Sequence, residues 1–538
     1  MPGWNLAEVW EAVADAQPDA PAQVQGDRRS TWAELDRRAD GVAAALLELG
    51  VSHQDKVAQY LYNCPEYLES LYGAWKAGLV PVNTNYRYTD DELAYLWDNA
   101  DAVAVVFHGS FTETIERVRA RVPGMRLWLW VDDGSGPCPE WARPFEDVAG
   151  SAPGRVVPPW GRDGDDLYML YTGGTTGMPK GTMWRQDDVF SLLNDAAPSK
   201  YPADATYDDV RAQREKEGPG FKVIPACPLM HGTGALVSFG VLTGGGCIVC
   251  LPSRSFDPVE LFDVVQAEQA NATVIVGDAF AKPMLRALDA EPGRWDLSSL
   301  FIVYSSGVMW SEPVKDGLLR HNPSMLLVDA LGSSEAIGMG TSLAGGGGSA
   351  RTATFRIGDN AVVLTEGGGL VEPGSGDVGR IGIKGRVPVG YYKDPEKSAK
   401  TFPVIDGVRY SMPGDYATVE ADGTITLLGR GSVVINTGGE KSFPEEVEEA
   451  VKLHPAVRDA VAVGVPDERF GEAVTAVVEL EPGVELDEAG VIALVKERLA
   501  PFKAPKRVLA SGSIGRAPNA KVDYKRLKAY AAEQLAAT

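Results

Sequence analysis

Short apolar runs alternate along most of this chain with stretches of helical spacing. Lys56–Tyr62, Ala102–Phe107 (AVAVVF) and Leu127–Val131 (LWLWV) have the continuity of strands buried on both faces, and Pro65–Lys76 has the spacing of an amphipathic helix. Ser30-Thr31-Trp32-Ala33-Glu34 has the form of a capping box and predicts a helix running to about Leu49. Strands separated by helices predict βαβ units around a largely parallel sheet. The rhythm resumes in Ala272–Val276, Phe301–Tyr304 and Met325–Val328. Each run ends in a turn of small residues: Gly277-Asp278, Ser305-Ser306-Gly307 and Gly332-Ser333-Ser334. Open α/β sheets bind ligands outside the carboxyl ends of their strands, so these turns predict one shared crevice.

From about Val362 to Leu428 the pattern changes to short β-like segments rich in Gly and Pro, and Gly345–Gly348 is either a flexible loop or a close backbone approach. After Gly429-Arg430-Gly431 the chain reads as a strand, a helix (Pro444–Leu453), strands Ala460–Val465 and Ala473–Leu480, a helix (Glu488–Leu499) and a basic tail holding Lys503, Lys506, Arg507, Arg516 and Lys521. The expected fold is α/β. Residues 1–430 form a large domain of layered, mostly parallel sheets with helices plus a small β-rich part, and residues 431–538 a small α+β domain.

Composition narrows the function classes. A chain of 538 residues is too long for one hydrophobic core. Its formal net charge of -23 argues against nucleic acid or an anionic membrane as main partner, and an anionic ligand then needs a local basic pocket. The 5 cysteines form no disulfide framework, and Cys247-x-x-Cys250 lies in GGGCIVCLP, which reads as a buried strand with two core thiols. With 5 histidines and no His/Cys cluster, no structural metal site is expected. The acidic, amphipathic start is not a signal peptide, and Gly244-Gly245-Gly246 breaks the uncharged stretch Gly232–Pro252 into a short helix and a short strand rather than a membrane span. The expected location is cytoplasmic.

The stretch with the clearest chemistry is Tyr171–Gly181, YTGGTTGMPKG, which follows the apolar run Leu167–Tyr171. Gly173, Gly174 and Gly177 let backbone approach a ligand, Thr172, Thr175 and Thr176 supply hydroxyls, and Lys180 supplies a point charge, as phosphate binding requires. The spacing is not that of a P-loop NTPase.

With PLMHGTG (228–234), LGSSE (331–335), GYYKDPEKSAKTF (390–402), YSMPGDYATVEADGTITLLGR (410–430), GGEKSFPEEVE (438–448) and PNAK (518–521) in order after it, the chain resembles the adenylate-forming superfamily of acyl-CoA synthetases, luciferases and adenylation domains over essentially its whole length. The resemblance implies ATP, Mg²⁺ and coenzyme A: a carboxylate attacks the α-phosphate of ATP, and a thiol then displaces AMP. It implies that Thr172–Thr176 and Lys180 hold the phosphates, with Thr176 and Glu335 near Mg²⁺. Ser306, Gly307 and Leu331–Ser334 would line the nucleotide. Asp415 would accept the ribose hydroxyls, Arg430 would contact ribose or phosphate, and His231 would meet the acyl carboxylate. Lys521, on a mobile C-terminal domain, would act in adenylation. A hinge after Arg430 would then exchange it for a face near Gly438-Gly439-Glu440 that arrives with coenzyme A.

This sequence departs from the superfamily's usual residues at Ser432 in the hinge, Leu331 where an aromatic ring stacks on adenine, Ala520 before the C-terminal lysine, and Asn436. A lost stack weakens binding by about 1 kcal/mol, so a ligase specialised in the thioester half-reaction is one alternative and a luciferase-like monooxygenase another. The resemblance is strongest to bacterial ligases for steroid side-chain and long-chain fatty acids. The implied acyl-pocket residues Phe239, Val276, Gly277, Phe280, Gly307, Gly338 and Gly340 are small or apolar, favouring a bulky hydrophobic monocarboxylate, steroid or terpenoid before fatty acid. Asp278 is the one acidic group beside them. The expected partners are small molecules, and a homodimer is an allowed state.

Overall fold

The computed structural model describes residues 3–152, 154–174, 177–345, 351–437, 440–467, 471–517 and 521–536. The chain is α/β, as its pattern predicts. The capping box forms at Thr31 and Glu34 and opens the helix Trp32–Glu48, and Pro65–Lys76 is helical with its proline in the first turn. Among the described residues there is an 8-stranded sheet, whose central strands Lys56–Tyr60, Val80–Asn83, Ala102–His108 and Leu127–Val131 run parallel, and a 15-stranded sheet. The larger sheet is parallel from Cys247–Cys250 through Ala272–Ile275 and Ile302–Ser306 to Leu326–Ser333. It then turns antiparallel, and the region after Val362 continues it as short β-strands. Gly232–Pro252 divides into the helix Gly232–Thr243 and a strand holding the buried, free Cys247 and Cys250. Among the described residues no helix is long and apolar enough to cross a membrane.

The core is aromatic where the first helices meet. Trp10, Trp32, Trp75 and Tyr72 are fully buried, with Trp75 in edge contact with Trp10 and Tyr168. Beside them Lys76, with no exposed side-chain surface, lies 3.0 Å from Glu11, 2.7 Å from Asp36 and 2.8 Å from Asp40. This paired charge ties three helices together.

From Ile435 onward the described residues form a 5-stranded sheet with cores on both faces. Along Val457–Asp467, Ala460 and Ala462 pack toward the helices Pro444–Lys452 and Glu488–Arg498, and Val461 and Val463 toward Leu527 and Ala531. The expected basic tail is corrected here: it contains a strand, Arg507–Ala510, and a helix, Tyr524–Ala536. Three of its cations are paired within this part of the chain: Lys503 with Glu446 at 2.7 Å, Arg507 with Glu488 at 3.0 Å and Arg516 with Asp459 at 2.6 Å.

Candidate active site

The described residues on either side of Thr175 and Thr176 form a β-hairpin. Leu167–Gly174 pairs antiparallel with Gly177–Arg185, bringing Thr172 opposite Lys180, while Thr175 and Thr176 lie outside the described residues. The strand therefore runs beyond Tyr171 and includes Gly173 and Gly174. The hairpin base is fixed by the buried Asn83. Its amide donates to the carbonyls of Tyr171 at 2.8 Å and Met230 at 2.7 Å, and its Oδ1 accepts from Tyr171 N at 2.7 Å. One side chain so registers the hairpin against the turn that presents His231.

Opposite the hairpin, Glu335 occupies the turn between Leu326–Ser333 and Ala336–Ala344. Its carboxylate accepts from the Tyr391 hydroxyl at 2.8 Å, its carbonyl from Ser411 Oγ at 2.6 Å, and Trp184 Nε1 donates to Ser334 O at 2.8 Å. The Tyr391 ring also underlies Lys180, whose ammonium is 5.5 Å from the ring centroid. Burial and then the neighbouring Lys397 push the Lys180 pKa down to about 8. Two ammonium groups that close favour an anion between them.

Asp415 and Arg430 face each other across adjacent strands, with Nε 3.4 Å from Oδ1. Burial raises the Asp415 pKa, although Arg430 opposes it, and Oδ2 is buried with no hydrogen-bond partner among the described residues. An orphan acceptor is what a ribose hydroxyl requires. His231 precedes the helix Gly232–Thr243. It is half-buried, its Nε2 has no partner among the described residues, and burial followed by Lys521 pushes its pKa down to about 3. Much of Lys521 is exposed, yet its ammonium lies within electrostatic reach of Arg430 and Glu335 as well as His231. The dense surroundings of that charge, followed by Arg430, lower its pKa. Among the described residues no group of three or more acidic, His or Cys side chains could hold a metal. The donor set suits a Mg²⁺ held by one carboxylate and by substrate phosphates.

The pocket candidates separate. Ser306 ends its strand and Gly307 follows at φ +95, open enough that a Cβ would meet only Thr233 and Val276 at 3.8 Å. Val276 and Phe280 are buried nearby, Phe280 against Phe256 at 4.7 Å. Gly277 has φ +53, and a Cβ there would stand 2.4 Å from Met309 O, so its glycine is a packing requirement. Gly340 is likewise closed in by Arg356 O at 3.1 Å, whereas Gly338 is exposed at φ +82 with open space around it. Phe239 is corrected: it is fully buried among Trp10, Trp75 and Tyr168, a core aromatic rather than a pocket wall. Asp278 accepts from Ser311 N at 2.9 Å and lies 3.7 Å from Lys282. Leu331 is buried with Ala336, Met339 and Phe355 and offers no ring; a Cβ at Gly332 would stand 3.2 Å from Ala336 O, and Ser333 Oγ accepts from Glu335 N. Glu440 opens the short strand Glu440–Ser442, while Gly438, Gly439 and Ala520 lie outside the described residues.

Sequence reasoning gave no role to Asn83, Tyr391 or Lys397. Tyr391 and Lys397 stand inside a quoted motif but carry chemistry only through a fold that brings them to Glu335 and Lys180. Asn83 had one signal, a polar residue closing the apolar strand Val80–Asn83.

Residues 10–392 match the family described as AMP-binding enzyme and residues 446–521 the AMP-binding enzyme C-terminal domain. The chain is 40% identical over 536 residues, 97% of it and 96% of the other, to a medium/long-chain-fatty-acid–CoA/3-oxocholest-4-en-26-oate–CoA ligase of Mycobacterium marinum. It is 39% identical over 539 residues, 97% of it and 95% of the other, to a 3-oxocholest-4-en-26-oate–CoA ligase of Rhodococcus rhodochrous. Its fold is similar to the crystal structure of the anthranilate CoA ligase AuaEII with anthranoyl-AMP, with a TM-score of 0.84 at 20% identity over 100% of this chain and 99% of that one.

Proposed function

Because the chain belongs to the AMP-binding enzyme family, we propose that it is an AMP-forming acid–CoA ligase for a bulky hydrophobic carboxylic acid, a steroid or terpenoid acid first and a long-chain fatty acid second. The observation that supports this reading is that the charge of Lys521 acts on His231 and is itself acted on by Arg430 and Glu335, residues drawn from distant stretches of the chain. The roles are those that the family resemblance implies, and the charges suit them. Lys180 and the hairpin hold the β- and γ-phosphates, and Asp415 accepts the ribose hydroxyls through its open oxygen. A carboxylate oxygen of the acid attacks the α-phosphorus while the bond to pyrophosphate breaks, and Lys521 and Arg430 offset the charge that builds on the α-phosphate oxygens. His231, kept neutral by its surroundings, orients the acid by hydrogen bonding rather than by charge. Glu335, held by Tyr391, would hold Mg²⁺ with Thr176, and the ion when bound supplies polarisation of the phosphate oxygens.

In the second step residues 431–538 turn about the Ser432 region and the Gly438–Glu440 face comes in with coenzyme A. The thiol sulfur attacks the acyl carbonyl, the bond to AMP breaks, and the thiol proton passes to solvent. Val276, Phe280 and the open space at Gly307 fit an apolar acyl group, and the ligase relatives' named acids agree with that chemistry. Asp278 is already engaged by Ser311 and Lys282, which supports an acid without an α-ammonium.

The test is incubation of the purified protein with ATP, Mg²⁺, coenzyme A and a panel of steroid, terpenoid and fatty acids, with pyrophosphate and thioester both measured. Both products from apolar acids are expected. Thioester only from supplied acyl-adenylates would assign the chain to the second half-reaction, and no product from either would overturn the reading.

A further inference from the structure

The helix that follows Gly277 at the candidate acyl pocket also meets the second sheet unit. Asp278–Ala290 buries Phe280, Ala281, Met284 and Leu288. Lys282 and Arg286, one turn apart, face the other way. Lys282 Nζ donates to Arg458 O at 3.2 Å, and Arg286 donates to Glu481 Oε1 at 2.6 Å. Arg458 and Glu481 sit together in the second unit, because Val457 pairs with Leu480 where two of its strands meet. Lys521 belongs to the same unit, whose closing segment is tied down by the Arg516–Asp459 pair at 2.6 Å and by Leu527 in its core.

We propose that Lys282 and Arg286 form a dock that holds the second unit in the adenylating arrangement, and that it is released for thioester formation. This rests on the two-step ligase reading. Arg458, Glu481 and Lys521 move as one body, so a rotation that withdraws Lys521 from the cleft also separates Arg458 and Glu481 from the helix. The contacts therefore favour the first half-reaction alone. Both residues are positioning groups, remote from the reacting atoms, and the dock lies on the helix that begins at the pocket.

Arg286→Glu sets like charges against each other at Glu481. Acid-dependent pyrophosphate release is expected to fall about three- to tenfold, the range for losing an exposed pair and adding its repulsion. Thioester formation from supplied acyl-adenylate and coenzyme A should hold or rise, and the swap Arg286→Glu with Glu481→Arg should restore the first step. An equal fall in both half-reactions, an unchanged first step, or a swap that does not rescue would overturn the proposal. A second readout needs no turnover. Energy transfer between dyes at Asp316→Cys and Glu533→Cys, in a Cys138→Ser background, should report fewer docked molecules for Arg286→Glu and recovery in the swap. Unchanged transfer would refute the dock. A wild-type chain that converts neither acids nor acyl-adenylates would sink the ligase reading separately, with the transfer measurement still deciding the dock.

Discussion

Removing one oxygen, in Tyr391→Phe, tests how the proposed metal carboxylate is held. The hydroxyl donates to Glu335 at 2.8 Å, and burial followed by Glu335 raises the Tyr391 pKa far enough to keep it a neutral donor at any working pH. Phenylalanine keeps the ring, and with it the packing on Phe402 at 5.5 Å and the surface beneath Lys180. The variant thus removes only what the hydroxyl does, its bond to Glu335 and its contact with the Thr401 side chain. A bond to a carboxylate contributes about 1.5–3 kcal/mol. Glu335 is half-buried, so water replaces part of the loss and about 1–2 kcal/mol remains, or about 5- to 30-fold at 1.36 kcal/mol per tenfold. The assay is a Mg²⁺ titration of acid-dependent pyrophosphate release at subsaturating ATP, with Mg·ATP affinity measured by calorimetry. The expected result is a higher Mg²⁺ requirement and weaker Mg·ATP binding, with the thioester step from acyl-adenylate intact. Less than a twofold change in both, or an equal loss in the thioester step, would refute the role given to Tyr391.

Lys180, with its pKa near 8, is a cation below that pH and loses charge above it, so KM for Mg·ATP should rise as pH climbs through 8. Lys397→Gln removes the neighbouring charge and should move that inflection upward; an unmoved inflection would remove Lys397 from the site. Lys76→Met leaves Glu11 paired with Arg162 and Asp36 with Arg155 but takes the cation from the buried Asp40, and should cost about 3–5 kcal/mol in urea unfolding. A loss below about 1 kcal/mol would show that the Asp40 carboxylate protonates or rehydrates cheaply. His108 is pushed down to about 4, chiefly by burial, and its Nδ1 accepts from Tyr62 N at 3.1 Å. A depressed histidine adds stability above its unfolded pKa of about 6.5 that is lost as pH falls toward 4. The wild type should therefore lose about 2 kcal/mol more than His108→Gln between pH 7 and 5, from a shift of this size; parallel losses would exclude His108 as the cause.

How much could be read in advance follows from which interactions are local. Thr31 and Glu34 cap a helix through contacts three residues apart, and the parallel strands announce themselves by continuous burial, so these elements were legible. The last strand was not. Arg507–Ala510 is short and half-exposed, and exists because it lies parallel to Gly471–Leu480. The helix Tyr524–Ala536 hides its pattern behind lysines and buries little beyond Leu527 and Ala531. The hairpin was missed for a different reason: its two strands are neighbours in sequence, but glycine and threonine fit a phosphate loop in several backbone settings. Phe239 erred in the opposite direction. A family position can be carried over by spacing, but whether a ring faces ligand or core depends on Trp10, Trp75 and Tyr168.

The charge balance explains why such a cleft would drive its own rearrangement. In a chain of net charge -23, Lys180 lies beside Lys397 and both Lys180 and Lys521 feel Glu335, while burial and then Arg430 lower the pKa of Lys521. Without an anion, docking the second unit brings like charges together and is opposed. With ATP present the phosphates lie among these cations, so nucleotide binding favours the docked arrangement. Adenylation then divides the negative charge. Pyrophosphate leaves with most of it, and the acyl-adenylate that remains carries a single phosphodiester-like charge. In the proposed cycle the repulsion between Lys521 and Arg430 would return as the second step calls for Lys521 to withdraw. On this argument the exposed dock at Lys282 and Arg286 is suited to be weak: a tight, desolvated interface would outlast pyrophosphate release and hold the enzyme in the first half of its cycle.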